Sequence, residues 1–167
     1  MNSNGLTFRN RPRMSSWLVI ALVITAADQL TKVLIVSYLQ KDTVISVASW
    51  LNLVRVYNKG AAFSFLASAG GWQRYFFIVF SIVAILGILY FLRRHSGQRL
   101  FCLSLSFILG GAAGNLIDRI IYGYVIDFLD FHFMGWHWPA FNIADSAITI
   151  GAVLLILDEF RRIKRSR

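Results

Sequence analysis

Four long apolar runs constrain this chain more than any other feature: residues 17–38, 72–92, 100–121 and 141–160. A helix rises 1.5 Å per residue, so each run of about twenty residues covers about 30 Å as a helix, the thickness of a bilayer's hydrocarbon core. Pro12 and Pro139, the only prolines, lie outside the runs and interrupt none of them. Apolar residues make up 57% of the chain and charged residues 15%. A soluble domain carries about 25% charge. Disorder is excluded, and the charges are too few to coat a soluble surface. The expectation is an all-α integral membrane protein with four transmembrane helices, a single polytopic domain over residues 1–167.

The first run has a rival reading. Arg9, Arg11 and Arg13 precede an apolar stretch that reaches Thr25-Ala26-Ala27, which imitates a cleavable signal peptide. The run resumes after Lys32 with Val33-Leu34-Ile35-Val36, which makes it a full span rather than a short hydrophobic region.

Charge placement predicts the orientation. Eleven of the seventeen basic residues fall in three clusters: Arg9, Arg11, Arg13; Arg93, Arg94, Arg99; and the tail from Arg161 to Arg167. With four spans, all three clusters lie on one side, so both termini and the 93–99 loop are expected in the cytoplasm. The net charge of +9 therefore reads as orientation, not as nucleic-acid binding. Trp17, Trp72, Trp136 and Trp138 sit near span edges, as an interfacial belt requires.

The segment between the first two spans is too long for a structureless loop. Val44–Val47 and Leu51–Tyr57 are rich in β-branched and aromatic residues and read as short strands. Asn58-Lys59-Gly60 reads as a turn in which Gly60 takes positive φ. A small β-element over about residues 44–66 is expected on the outer membrane face. Residues 128–138 read as an aromatic loop.

Ionisable residues converge on one leaflet. Asp28 and Lys32, Asp118 and Arg119, Asp127, and Asp145 all fall in outer span halves or beside their ends. Charges at such depths are costly, so they point to function. Each has a plainer reading. Asp28 and Lys32 are spaced i, i+4 as a helical pair. Asp118 and Arg119 suit a polar helix end, and Asp130 suits a solvated or interfacial acid. Asp127 and Asp145 differ, because neither has a Lys or Arg within four residues. A carboxylate in apolar company without a cation resists ionisation, and two brought together share one proton. That provides a base and an acid at one pH, although a tertiary partner such as Arg119 would neutralise either. Gly110 and Gly114 make a GxxxG spacing suited to close helix packing. Asn115 and Asn142 are amides that need partners at such a depth and can orient a carbonyl.

Other chemistries lack their residues. There is no HExxH, no GxSxG and no phosphate-binding glycine loop. His132 and His137 near Asp130 carry metal-ligating side chains, but interfacial aromatic use suits them better. Cys102 lies within the third apolar run, so a reactive thiolate is not expected.

Taken in order, these blocks resemble lipoprotein signal peptidase, the signal peptidase II family. They are Asp28-Gln29 and Thr31-Lys32; Asn58 and Gly60-Ala61-Ala62-Phe63-Ser64; Gly110-Gly111-Ala112, Gly114-Asn115 and Asp118-Arg119; Gly123, Val125 and Asp127-Phe128; and Phe141-Asn142 with Ala144-Asp145-Ser146. The resemblance runs from about Trp17 to Phe160. It implies an intramembrane aspartyl endopeptidase of the bacterial cytoplasmic (inner) membrane, with its active site toward the outer leaflet. The implied substrate is a diacylglyceryl-modified prolipoprotein, cut just before the lipidated cysteine, with membrane lipids as surroundings. It also implies inhibition by globomycin and no cofactor or metal. The implied catalytic residues are Asp127 and Asp145. Implied substrate-binding or supporting residues are Asp28, Lys32, Asn58, Gly111, Asn115, Arg119, Asn142 and Ala144. The main alternative is a small proton-coupled membrane transporter, which needs acids in both leaflets; on the inner side the spans carry only Asp158 and Glu159, beside the basic tail.

Overall fold

A computed structural model of the chain describes residues 13–41, 43–60 and 71–166. The four apolar runs are helices: α1 (Met14–Tyr38), α2 (Trp72–Arg94), α3 (Arg99–Ile121) and α4 (Ile143–Ser166). Between them lie β1 (Ile45–Ala48), β2 (Leu51–Asn58), β3 (Val125–Phe133) and β4 (Trp136–His137). The protein is thus mostly helical with one small antiparallel sheet.

Large apolar side chains face outward. Leu22 is 67% exposed, Phe80 63% and Leu86 61%. This is the surface of a protein whose solvent is lipid, and α1, α2 and α3 are each long and apolar enough to cross a membrane. α4 is as long but carries Asp145, Asp158 and Glu159 ahead of its basic end.

α3 is the central helix. Its buried face is built from small and polar residues, among them Ser104, Ser106, Gly110, Gly111, Gly114 and Asn115. Small residues let backbones approach closely where lipid supplies no hydrophobic drive between helices. A Cβ at Gly110 would lie 2.7 Å from the Ala21 carbonyl oxygen of α1. α4 reciprocates, since a Cβ at Gly151 would lie 2.7 Å from the Ser104 carbonyl oxygen. An apolar cluster including Trp17, Ala21, Ile88, Leu92, Leu105 and Leu109 fills the end of the bundle away from the sheet. α2 and α4 both lean on α3 without a substantial contact between them.

The sheet runs in the order β1-β2-β3-β4. Its register sets Asn52 opposite Asp130, Val56 opposite Asp127 and Asn58 opposite Val125. Two arginines join the layers. Arg55 of β2 donates to the Val36 and Leu39 carbonyls at the end of α1, at 3.3 and 2.9 Å. Arg74 of α2 donates to the Arg119 and Ile120 carbonyls at the end of α3, at 3.0 and 2.9 Å. Both satisfy carbonyls that a helix terminus leaves without partners.

Three expectations are refined. The first strand covers Ile45–Ala48 rather than Val44–Val47. Residues 61–66 of the expected β-element lie outside the described residues. The expected aromatic loop over 128–138 is instead mostly strand, β3 and the β4 hairpin. The first four residues of β3, Val125–Phe128, are all buried. A strand covered on both faces loses the period-two alternation by which strands are read. Gly60 does take positive φ, at 116°.

Candidate active site

Asp127 sits on β3 and Asp145 in the first turn of α4, and both line one cleft at the sheet end of the bundle. The cleft holds about 1060 Å³ and runs between the sheet, α2 and α4. Three asparagines hold the two carboxylates, and each amide has its orientation fixed by a second bond.

Asn58, at the end of β2, accepts from the Gly60 backbone N–H at 2.9 Å on its Oδ1. Its Nδ2 is thereby turned to Asp127 Oδ2, to which it donates at 3.0 Å. Asn142 precedes α4 as its N-cap, and its Oδ1 accepts the Asp145 backbone N–H at 2.9 Å. Its Nδ2 is left to donate to Asp127 Oδ1 at 2.7 Å. Asn115 of α3 donates from Nδ2 to Asp145 Oδ1 at 2.7 Å. Its Oδ1 accepts from Lys32 Nζ at 3.0 Å and from Asn142 at 3.3 Å.

Behind the amides lies a buried ion cluster. Lys32 Nζ is 2.8 Å from Asp28 Oδ2 and 2.8 Å from Asp118 Oδ2. Gln29 donates to Asp118 Oδ1 at 2.9 Å. The second oxygen of Asp28 accepts the Ala144 backbone N–H of α4 at 2.9 Å. A carboxylate on the first helix thus caps the fourth, at the end where the helix dipole favours negative charge. Gly111 and Gly114 make these contacts possible: a Cβ at Gly111 would strike the Ala144 carbonyl oxygen, and one at Gly114 would strike Asp28 Oδ2.

Arg119 lines the cleft with its guanidinium carbon 5.1 Å over the Phe77 ring, and donates to the Asn115 carbonyl at 3.2 Å. All ten residues named from the resemblance are therefore drawn together, by direct bonds, by shared cleft wall or by close backbone approach. Asp127 is pushed up to about 7, first by burial and next by the Asp145 charge, against the pull of Asn58, Lys32 and Asn142. A carboxylic acid that titrates near neutrality is one that can both take and give a proton at working pH.

Two residues depart from their plainer readings. Asp118 is not simply a polar helix end but the second anion of the Lys32 cluster. Asp130 is not solvated: it is 8% exposed, accepts from Asn52 at 3.1 Å and from His137 Nδ1 at 2.9 Å. Burial alone would raise it, but the His137 and Asn52 hydrogen bonds outweigh burial and hold it below the usual carboxylate range. Gln29 and Asp118 carry weight that local reading missed. The available signal was Lys32, a buried cation with one sequence neighbour of opposite charge and geometric room for more.

Comparison with known proteins gives the family. The family model described as Signal peptidase (SPase) II matches residues 20–161. The lipoprotein signal peptidase of Janthinobacterium sp. is 59% identical over 163 residues, covering 98% of this chain and 99% of the relative. That of Paraburkholderia phytofirmans is 58% identical over 154 residues, covering 92% and 90%. A solved bacterial membrane enzyme superposes with a TM-score of 0.84 at 29% identity, covering 94% of each chain. A second gives 0.77 at 31% identity, covering 88% of this chain and 94% of its own. With a family model across most of its length and relatives this similar over nearly all of theirs, this chain belongs to the signal peptidase II family of proteases.

Proposed function

We propose that the protein is an aspartyl endopeptidase that removes the signal peptide from diacylglyceryl-modified prolipoproteins, cutting before the lipidated cysteine. The observation that carries this reading is the pair of carboxylates, Asp127 and Asp145, on the wall of one cleft and held by oriented amides. In this reading α4 is the fourth span, both termini are cytoplasmic, and the cleft opens toward the outer leaflet of the bacterial inner membrane. Supporting that orientation, the basic loop 93–99 and the basic tail sit at the bundle end opposite the sheet.

The two carboxylates share one proton. The ionised one takes a proton from water as it attacks, and the protonated one polarises the scissile carbonyl. The proton belongs to the pair, which titrates as a unit. Asn58, Asn115 and Asn142 hold the pair without adding charge. Arg119 supplies a cation beside the cleft that can steady the substrate backbone. The opening between α2 and α4 offers a path for a lipid-anchored peptide to arrive sideways from the membrane. Supporting residues Asp28, Lys32, Gly111 and Ala144 set the position of α4 and so of Asp145. Globomycin sensitivity is expected of such a cleft.

The test is cleavage of a purified lipid-modified prolipoprotein by the wild type, Asp127→Asn and Asp145→Asn, each shown to fold. Loss of roughly a thousandfold or more in both variants is expected, since each removes one half of an acid–base pair, with wild-type cleavage unchanged by chelator. Retained cleavage in either variant removes that residue from the dyad.

A further inference from the structure

We infer that His137 is a positioning residue for substrate: it latches to Asp130 the segment that forms one wall of the cleft. This rests on the proposed peptidase reading and concerns residues outside the carboxylate pair and its amides.

After β3 the chain turns at Met134 and Gly135, both with positive φ, and comes back along its own path. The returning segment is pinned at two points. At its far end Phe141 bridges Leu129, exchanging backbone bonds of 3.1 and 2.8 Å, and its ring stacks on Phe131 at 5.5 Å. At its near end His137 Nδ1 lies 2.9 and 3.0 Å from the two oxygens of Asp130. Between the pins lie Trp138, Pro139 and Ala140, which face the cleft, and Asn142 follows directly. β4 is only two residues long, so its ladder holds little by itself. The side-chain bond to a buried, Asn52-anchored carboxylate supplies what the short ladder lacks.

The groups facing the His137 ring are Asp130, Asn52 through it, and His132, whose ring stacks at 5.3 Å. The ring donates from Nδ1 to a carboxylate, and a bond to a charged acceptor is stronger than one between neutral groups. Asparagine at 137 can supply an N–H donor to Asp130 in its place.

The experiment measures KM and kcat for a lipid-modified prolipoprotein for wild type, His137→Ala and His137→Asn. The expected result is a KM raised roughly threefold to tenfold in His137→Ala, the scale of one hydrogen bond to a charged group in partial exposure, with kcat within about twofold. The KM of His137→Asn should stay near that of wild type, because its amide N–H restores the donor. Should His137→Ala fail to fold, His137→Phe, which keeps a ring to stack on His132 and has no donor, takes its place with the same expected rise. Equal KM in wild type and all variants, with wild type active, overturns the latch and leaves the peptidase reading standing. A fall in kcat at unchanged KM also overturns it. No cleavage by the folded wild type overturns the peptidase reading, and the latch with it.

Discussion

Lys32 is 2% exposed, and its ammonium would be prohibitively costly there without partners. It has three: Asp28, Asp118 and the amide oxygen of Asn115. The third contact matters most for chemistry. By occupying Asn115 Oδ1, Lys32 forces the Asn115 N–H toward Asp145. A buried charge two bonds removed from the carboxylate thus decides which face of an amide the carboxylate meets. The same scale carries a pH prediction. Asp127 is raised to about 7, so the folded protein keeps a proton there that the unfolded chain releases near pH 4. Stability from this group is full at low pH and declines as pH rises through about 7. Cleavage should fall over the same interval, because ionising the second carboxyl removes the acid. Asn58→Ala deletes a bond that favours the charged form, so its basic limb should move to higher pH. The pH profile of kcat/KM, with substrate affinity tracked separately, checks the sign; a limb that moves down contradicts it.

At the scale of elements, the first turn of α4 is the decisive one. Its backbone N–H groups at Ala144 and Asp145 are taken by Asp28 and Asn142. The start of the helix and the placement of Asp145 are therefore the same event. The approach of α3 to α4 depends on the bare backbone of Gly111. Gly111→Val should push Ala144 and Ile148 away, lengthen the Asn115–Asp145 bond and abolish cleavage. The stability loss should be about 1–3 kcal/mol, the usual cost of overpacking. Gly87 of α2 is the control, since a Cβ there meets nothing within 4 Å. Gly87→Ala should retain full cleavage and an unchanged or higher melting temperature. Full cleavage by Gly111→Val would mean that the α3–α4 approach does not set the position of Asp145.

Across the whole molecule, the packing of α2 and α4 on α3 but not on each other leaves the cleft open on one side. Ile150, 47% exposed, lies on that side of α4. Ile150→Trp should obstruct the passage of a lipid-anchored peptide and raise KM roughly tenfold, the worth of about 1.4 kcal/mol. Its melting temperature should match wild type, because Ile150 is 47% exposed beside the cleft, where an added ring has open space. An unchanged KM would mean that substrate arrives by another route.

The four helices were legible from run length alone, and α1, α2 and α3 are long and apolar enough to cross a bilayer core of about 30 Å. The strands of β1 and β2 were legible from their β-branched residues, and the candidate dyad from two carboxylates without a local cation. Each of these signals is carried by near neighbours in the chain. The start of β3 was not legible, because Val125–Phe128 are buried on both faces and show no alternation. Nor was the burial of Asp130, whose partners Asn52 and His137 come from two other strands. Asp118 read as a helix end until Lys32 was set against it from another helix. Asp28 caps a helix that begins 115 residues later, and no local pattern encodes that bond. Composition and periodicity determine which segments leave water, since that depends on each segment's own transfer free energy. Which buried polar groups meet is decided only when the helices pack, because each must find a partner and the partners lie far apart along the chain.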